Sequence, residues 1–239
     1  MAQANTLPIP KPKPLDNLPT PGFTSETITQ IQASTGFRLY SPEQIERLGP
    51  DLLPPKEQKQ LRDTMHWINH FIMQPHRGLG RTGVVCPYVK FSLDASIFYL
   101  SIANMENPGK YDEIFNIMHT HAQIFSQMKP NSGPLENLRV LMVLVPNGKD
   151  HVLSNPELCK RLKTEMMEQN VTVGQFFPTL NPVKYFKSKF FPDQPPFCMY
   201  TMRSFIRSDW MFINGEPEWR DVYREKFGDP PEPGQGFTL

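Results

Sequence analysis

Proline constrains this chain more than any other residue type. Twenty-six of its 239 residues are proline, and each fixes φ at about −65° and removes a backbone donor, so no long helix or central strand can run through them. The expectation is that they sit mostly in loops and tails. Six fall between Leu7 and Phe23, in "LPIPKPKPLDNLPTPGF", a stretch with little apolar pattern that reads as an extended, polyproline-like arm. The C-terminal "GDPPEPGQGFTL" reads as a tail of the same kind. The sequence therefore divides into an arm at 1–23, one folded domain at 24–227 and a tail at 228–239.

An apolar fraction of 38% and a charged fraction of 21% suit a globular domain of this length with a sizeable core. The formal net charge of +1 gives no global field to draw in nucleic acid, and no segment approaches the roughly 20 apolar residues that span a bilayer. Nor does the N-terminus pair a basic start with an apolar run. The expectations are a cytoplasmic protein acting on a small molecule, with neither nucleic acid nor membrane as partner. Three widely spaced cysteines, Cys86, Cys159 and Cys198, indicate reduced thiols rather than a disulfide framework.

Between the proline-rich ends, "PKEQKQLRDTMHWINHFIMQPH" has Leu61, Met65, Ile68 and Phe71 or Ile72 at helical spacing and stops at Pro75. "YDEIFNIMHTHAQIFSQM" and "NPELCKRLKTEMMEQN" are further helices, the second opened by Asn155 with Pro156 in its first turn. The final "EPEWRDVYREKF" is amphipathic. "VVCPYV", "SIFYLSIANM", "RVLMVLVP" and "FCMYTMRSFI" are strand-like. This alternation predicts an α+β fold in a single domain, a mostly antiparallel sheet with helices packed on one face.

The stretch "GLGRTGVVCPYV" from Gly78 carries two competing signals. Gly78, Gly80 and Gly83 match G-x-G-x-x-G, but a dinucleotide loop follows a strand and opens a helix, whereas here a helix comes first and a strand-like run follows. Glu106, at the right distance for a ribose contact, falls in a turn. The glycines are better read as a turn that admits close approach of another backbone or a flat ligand at Gly83. Arg77 and Arg81 flank it, either as forks for a carboxylate or phosphate or as solvated loop charges. The second signal is Cys86-Pro87. Proline holds Cys86 extended and withholds the next N–H from its sulfur, which leaves a thiolate suited to ligate haem iron, although a cysteine in isolation is as readily a small buried apolar residue. Cys159, on a stripe with Leu162 and Met166, and Cys198, alternating with Tyr200 and Met202, read as core.

"HRGLGRTGVVCPYV", with "FFPTLNPVKYF" and "FCMYTMRSFIRSDWMFI", resembles a large bacterial domain family often associated with natural-product gene clusters. That family resembles in turn the YqcI/YcgG proteins, marked by a Cys-Pro-Phe motif, some of which are haem-dependent oxygenases that hydroxylate amino or guanidino nitrogen. The likeness covers roughly His66 to Phe212, and Tyr88 stands where the motif has phenylalanine. The resemblance implies heme b as cofactor, Cys86 as its iron ligand, Pro87 and Tyr88 as part of the pocket, and a monooxygenase using O2 and an electron donor on a small amine, guanidine or amino-acid-derived substrate. The alternative is a non-enzymatic haem- or small-ligand-binding accessory protein.

Other residues take roles around that site. His121 lies on the apolar stripe of its helix; it reads as a hydrogen-bonded core histidine or, with haem present, as the distal catalytic group. Arg203 sits in an otherwise apolar strand and needs an anionic partner there: a haem propionate, Asp209, Asp94 or another carboxylate. His66 and His70 share one helix face but lack an evident third ligand, so they read as ordinary histidines rather than a zinc site. The aromatic run Phe176, Phe177, Tyr185, Phe186, Phe190 and Phe191 either wraps a flat ligand or forms the core of a long loop.

Overall fold

The computed structural model describes residues 22–47, 53–76, 82–178, 194–213 and 216–230, without the side chains of 211 and 212. Among the described residues proline is also a helix starter. Five α-helices begin on one: α2 (Pro42–Arg47), α3 (Pro55–Trp67), α4 (Pro87–Asp94), α7 (Pro156–Glu168) and α8 (Pro217–Phe227). The first helical position needs no N–H and favours proline's fixed φ, so the residue that bars helix interiors marks their entrances. The remaining helices are α1 (Ser25–Thr35), α5 (Tyr111–Ser126) and the short α6 (Asp150–Leu153). Side chains complete three of the caps: Thr24 Oγ1 accepts from the Thr27 N–H, Ser41 Oγ from the Gln44 N–H, and Asn155 Oδ1 from the N–H groups of Glu157 and Leu158.

Five strands, β1 (Leu39–Tyr40), β2 (Phe98–Ile102), β3 (Val140–Val145), β4 (Val171–Phe176) and β5 (Cys198–Ser204), form one sheet in the order β1-β2-β3-β5-β4. Among the described strands only β2 and β3 pair in parallel, with α5 as the crossover; the other pairs are antiparallel. The fold is thus the expected single-domain α+β architecture with a mostly antiparallel sheet. Helices cover both of its faces, however, not one. Tyr99, Leu141, Val143, Tyr200 and Met202 meet α1, α5, α6 and α7 on one side. Phe98, Leu100, Met142, Leu144 and Met199 meet α2, α3 and α4 on the other. Two-sided burial is the reason β3 is apolar at every position. A smaller cluster of Met167, Phe205, Ile213, Trp219 and Tyr223 seats α8 against α7.

Two boundaries differ from the sequence reading. Phe23, assigned to the arm, is 6% exposed and belongs to the first core. Its N–H donates to the Tyr99 hydroxyl at 3.1 Å, its ring meets the Tyr99 ring edge-on at 5.0 Å, and Gly22 exchanges backbone hydrogen bonds with Lys129. Gly22 and Phe23 are therefore tied to the core, and the sequence does not signal it because a single apolar residue at the end of a proline-rich stretch leaves no periodic pattern. The second difference is "VVCPYV". Val84 bridges Pro75 and the Val85 N–H reaches the Gln74 carbonyl, so the extended reading holds that far; from Pro87 onward the chain is helix, since proline at N1 outweighs the strand preference of one following valine.

His121 is wholly buried on the α5 side. Its ring nitrogens lie 2.7 Å from the Ile117 carbonyl oxygen and 2.9 Å from Ser101 Oγ, and Phe37 packs 4.3 Å from the ring. Burial pushes its pKa down to about 4, with the Ile117 bond opposing the shift.

Replacing Phe23 with Ala is expected to cost about 3 kcal/mol, and Gly22→Ala about 2 kcal/mol, because Gly22 has φ +90° and an added Cβ would strike the Tyr99 ring. Urea unfolding of each variant measures both. The imidazole of His121 also sets a pH dependence. The unfolded chain takes up a proton below about pH 6.5 that the native ring refuses, so stability falls as pH drops from there toward 4, by about 3 kcal/mol in all. Unfolding curves for wild type and His121→Gln should converge over that range; parallel pH profiles would contradict the assignment.

Candidate functional site

The last turn before the glycine loop is a π-helix, Ile68–Ile72, in which the Met73 N–H reaches back to the Ile68 carbonyl. Its end holds the start of the next element: the Cys86 N–H donates to the Ile72 carbonyl at 3.1 Å. Residues 72–75 and 84–86 so form a short antiparallel ribbon, reached through Gly83, whose φ is +92°. Cys86 is the N-cap of α4, extended at φ −127° and ψ 101°, and Pro87 is the first helical residue. The thiol residue is half-buried and packs against the second core beside Val85 and Leu93. Aromatic rings line the same face: Trp67 meets Phe71 at 5.8 Å and Phe176 at 5.4 Å.

Tyr88 and Arg203, both named from sequence, are in contact. The Arg203 guanidinium lies 4.6 Å from the Tyr88 ring centre, and the Tyr88 hydroxyl shares a 3.1 Å hydrogen bond with Ser208 Oγ, 120 residues away. Asp209, 2% exposed, takes both terminal nitrogens of Arg203 and also accepts from the Ile206 N–H at 2.9 Å. The anionic partner that Arg203 required is therefore Asp209. That contact satisfies its charge and removes the reason to assign it to a haem propionate. Asp94, the other candidate, pairs instead with Lys90 on the exposed side of α4.

His121 is not brought to this site. It bonds Ser101, which alternates with Leu100 on β2 and so faces the α5 side, while Cys86 packs on the opposite face. With the sheet between them, His121 cannot be the distal group of a ligand held by Cys86. Its two polar contacts make it a core histidine, the other reading of its position on the stripe. Cys159 and Cys198 are also on the α5 side and buried; burial pushes the Cys159 thiol up to about 11, and burial with the Asp150 carboxylate raises that of Cys198. His66 and His70 stack on the exposed face of α3 and its π turn, rings 3.9 Å apart, and among the described residues no group of three or more His, Cys, Asp or Glu is placed to hold a metal. Arg81, Arg77, Gly78, Gly80 and the aromatic residues from Tyr185 to Phe191 lie outside the described residues.

Two groups escaped the sequence reading. Thr201 shares the Cys86 side of β5 with Met199 and Arg203, and its hydroxyl is buried without a hydrogen-bond partner among the described residues. Lys163, beside the apolar stripe of α7, sits 3.9 Å from the Trp219 ring centre. Burial pushes its pKa down to about 8, against the opposing pull of Asp209. Neither residue stands out in sequence, since a threonine in a strand and a lysine in an amphipathic helix are both ordinary.

No curated protein and no solved structure matches this chain. One family model does, over residues 61–235, and it is described as a domain of unknown function, DUF6875. Its span takes in the π turn, the ribbon, Cys86, the whole sheet except β1, and the Arg203–Asp209 pair. The chain belongs to the DUF6875 family.

Proposed function

We propose that the Cys86 face of the sheet is a haem-thiolate site and that the protein is an oxygenase of small amine, guanidine or amino-acid-derived substrates. The observation that carries this reading is the placement of Cys86: half-buried, extended, at the N-cap of an eight-residue helix, and backed by apolar and aromatic side chains. The donor set fits the group as a single thiol on an apolar wall, and on the same side the Thr201 hydroxyl and Gln60 Oε1 are buried without a hydrogen-bond partner among the described residues, which leaves polar functions for a bound molecule. Bound haem would supply O2 binding and activation, with thiolate ligation favouring O–O cleavage.

The chain's own residues have defined parts in this reading. The positive end of the α4 dipole favours an anionic sulfur at Cys86, and Pro87 contributes no N–H to compete for it. The bond from the Cys86 N–H to Ile72 fixes the backbone that carries the thiol. Tyr88, held by Ser208 and Arg203, is an anchored wall of the site. Thr201 supplies a hydroxyl able to donate to, or accept from, a polar atom of the bound molecule. Because Asp209 neutralises Arg203, that arginine positions Tyr88 and does not bind the cofactor's acid groups.

Purified protein reconstituted with haem should give a Soret band and, when reduced under carbon monoxide, the strongly red-shifted band of thiolate ligation. Cys86→Ala should shift that spectrum or empty the site, while Cys159→Ala and Cys198→Ala leave it intact; loss of the thiol should cost about 1–2 kcal/mol of stability. A histidine-type spectrum that survives Cys86→Ala, or folded wild-type protein that takes up no haem, overturns the reading.

A further inference from the structure

The edge of the sheet furthest in order from β4 carries a separate cleft. It lies between α1, β1 and α2, has a volume of about 300 Å³, and is floored by Ile28, Leu39 and Tyr40. Its two charged lining residues are Arg38 and Arg47, with Gln32 and Gln44 completing the rim. Among the described residues no carboxylate lines it; Glu43 lines an adjoining cleft of about 280 Å³, which Arg47 also lines. Neither arginine forms a salt bridge among the described residues. Burial raises the pKa of the Tyr40 hydroxyl, with the Arg38 guanidinium opposing the rise and the Glu57 carboxylate adding to it. Residues 28–47 also precede the segment that matches the family model.

Two like charges facing one concavity repel, and an anion between them removes that repulsion. Guanidinium forks match the two oxygens of a carboxylate, and the apolar floor beneath them suits a hydrocarbon body better than a fully hydrated ion. We propose that the cleft between α1, β1 and α2 binds a small organic carboxylate, its acid group held by Arg38 and Arg47 and its apolar body resting on Ile28, Leu39 and Tyr40. Inorganic phosphate offers oxygens to the same arginines but has nothing to set on the floor. The site is independent of Cys86, so it stands or falls apart from the haem reading.

Isovalerate is the probe, added to 15N-labelled full-length protein, with inorganic phosphate and 3-methylbutan-1-ol as comparisons. Isovalerate should produce saturable shifts at the amides of Gln32, Leu39 and Gln44, and the uncharged alcohol should bind about tenfold more weakly. Both arginine side chains are exposed, so Arg38→Gln and Arg47→Gln should fold normally; each should weaken isovalerate about fivefold, and the double variant should abolish saturable shifts. Absence of saturation in wild type, unchanged affinity in both single variants, or tighter binding of phosphate than of isovalerate overturns the proposal. The spectra themselves report whether each variant is folded.

Discussion

The ion pair between Arg203 and Asp209 holds the candidate site in shape. Arg203 projects from β5 largely buried, on the face it shares with Met199 and Thr201, and a guanidinium taken out of water there needs a carboxylate. The 3₁₀ turn at Arg207–Phe212 brings Asp209 to it, and the same carboxylate accepts the Ile206 N–H that opens that turn. One acid thus satisfies a strand charge and a helix end. The consequence spreads to α4: Arg203 stacks on Tyr88, and Tyr88 bonds Ser208 from the same turn. The first turn of α4 is fixed to β5 through these contacts, and Cys86, which caps that helix, inherits its position from them.

The second constraint is the sheet itself. Covered on both sides, it separates polar chemistry into two compartments that share no ligand. On the α5 side, His121 is held neutral by burial and engaged at both ring nitrogens, and the thiols of Cys159 and Cys198 are held protonated. The Tyr200 hydroxyl on that side is buried without a hydrogen-bond partner among the described residues. On the other side, Cys86 starts a helix at half-burial and Thr201 has hydrogen-bonding capacity left. Any ligand chemistry centred on Cys86 must draw its partners from this second compartment, so a proton donor for it is sought at Thr201 and not at His121.

Much of the fold was legible because its elements announce themselves locally. β3 is an unbroken apolar run, α5 has buried residues at regular helical spacing, and α7 opens with Asn155-Pro156, a capping residue followed by a helix starter. The N-terminal elements were not. α1 has a largely polar sequence with Ile31 its one buried residue, and β1 is two residues long. α4 hides behind a strand-like run because Val84, Val85 and Cys86 are extended up to the residue before Pro87, so the strand signal is real but stops three positions short of Val89. At the site, the need of Arg203 for an anion followed from burial of charge, and Asp209 was among the candidates; its choice over Asp94 depended on a turn that periodicity cannot place. The Tyr88–Arg203 contact and the unpartnered Thr201 hydroxyl arise from tertiary packing and leave no local mark.

The central claim is that chemistry on this chain is organised at Cys86 on the α4 face. X-ray absorption at the iron edge of the haem-loaded protein tests it most directly. The account predicts a sulfur ligand to iron in wild type that disappears in Cys86→Ala and persists in Cys198→Ala. An iron coordinated by nitrogen alone in wild type would contradict it.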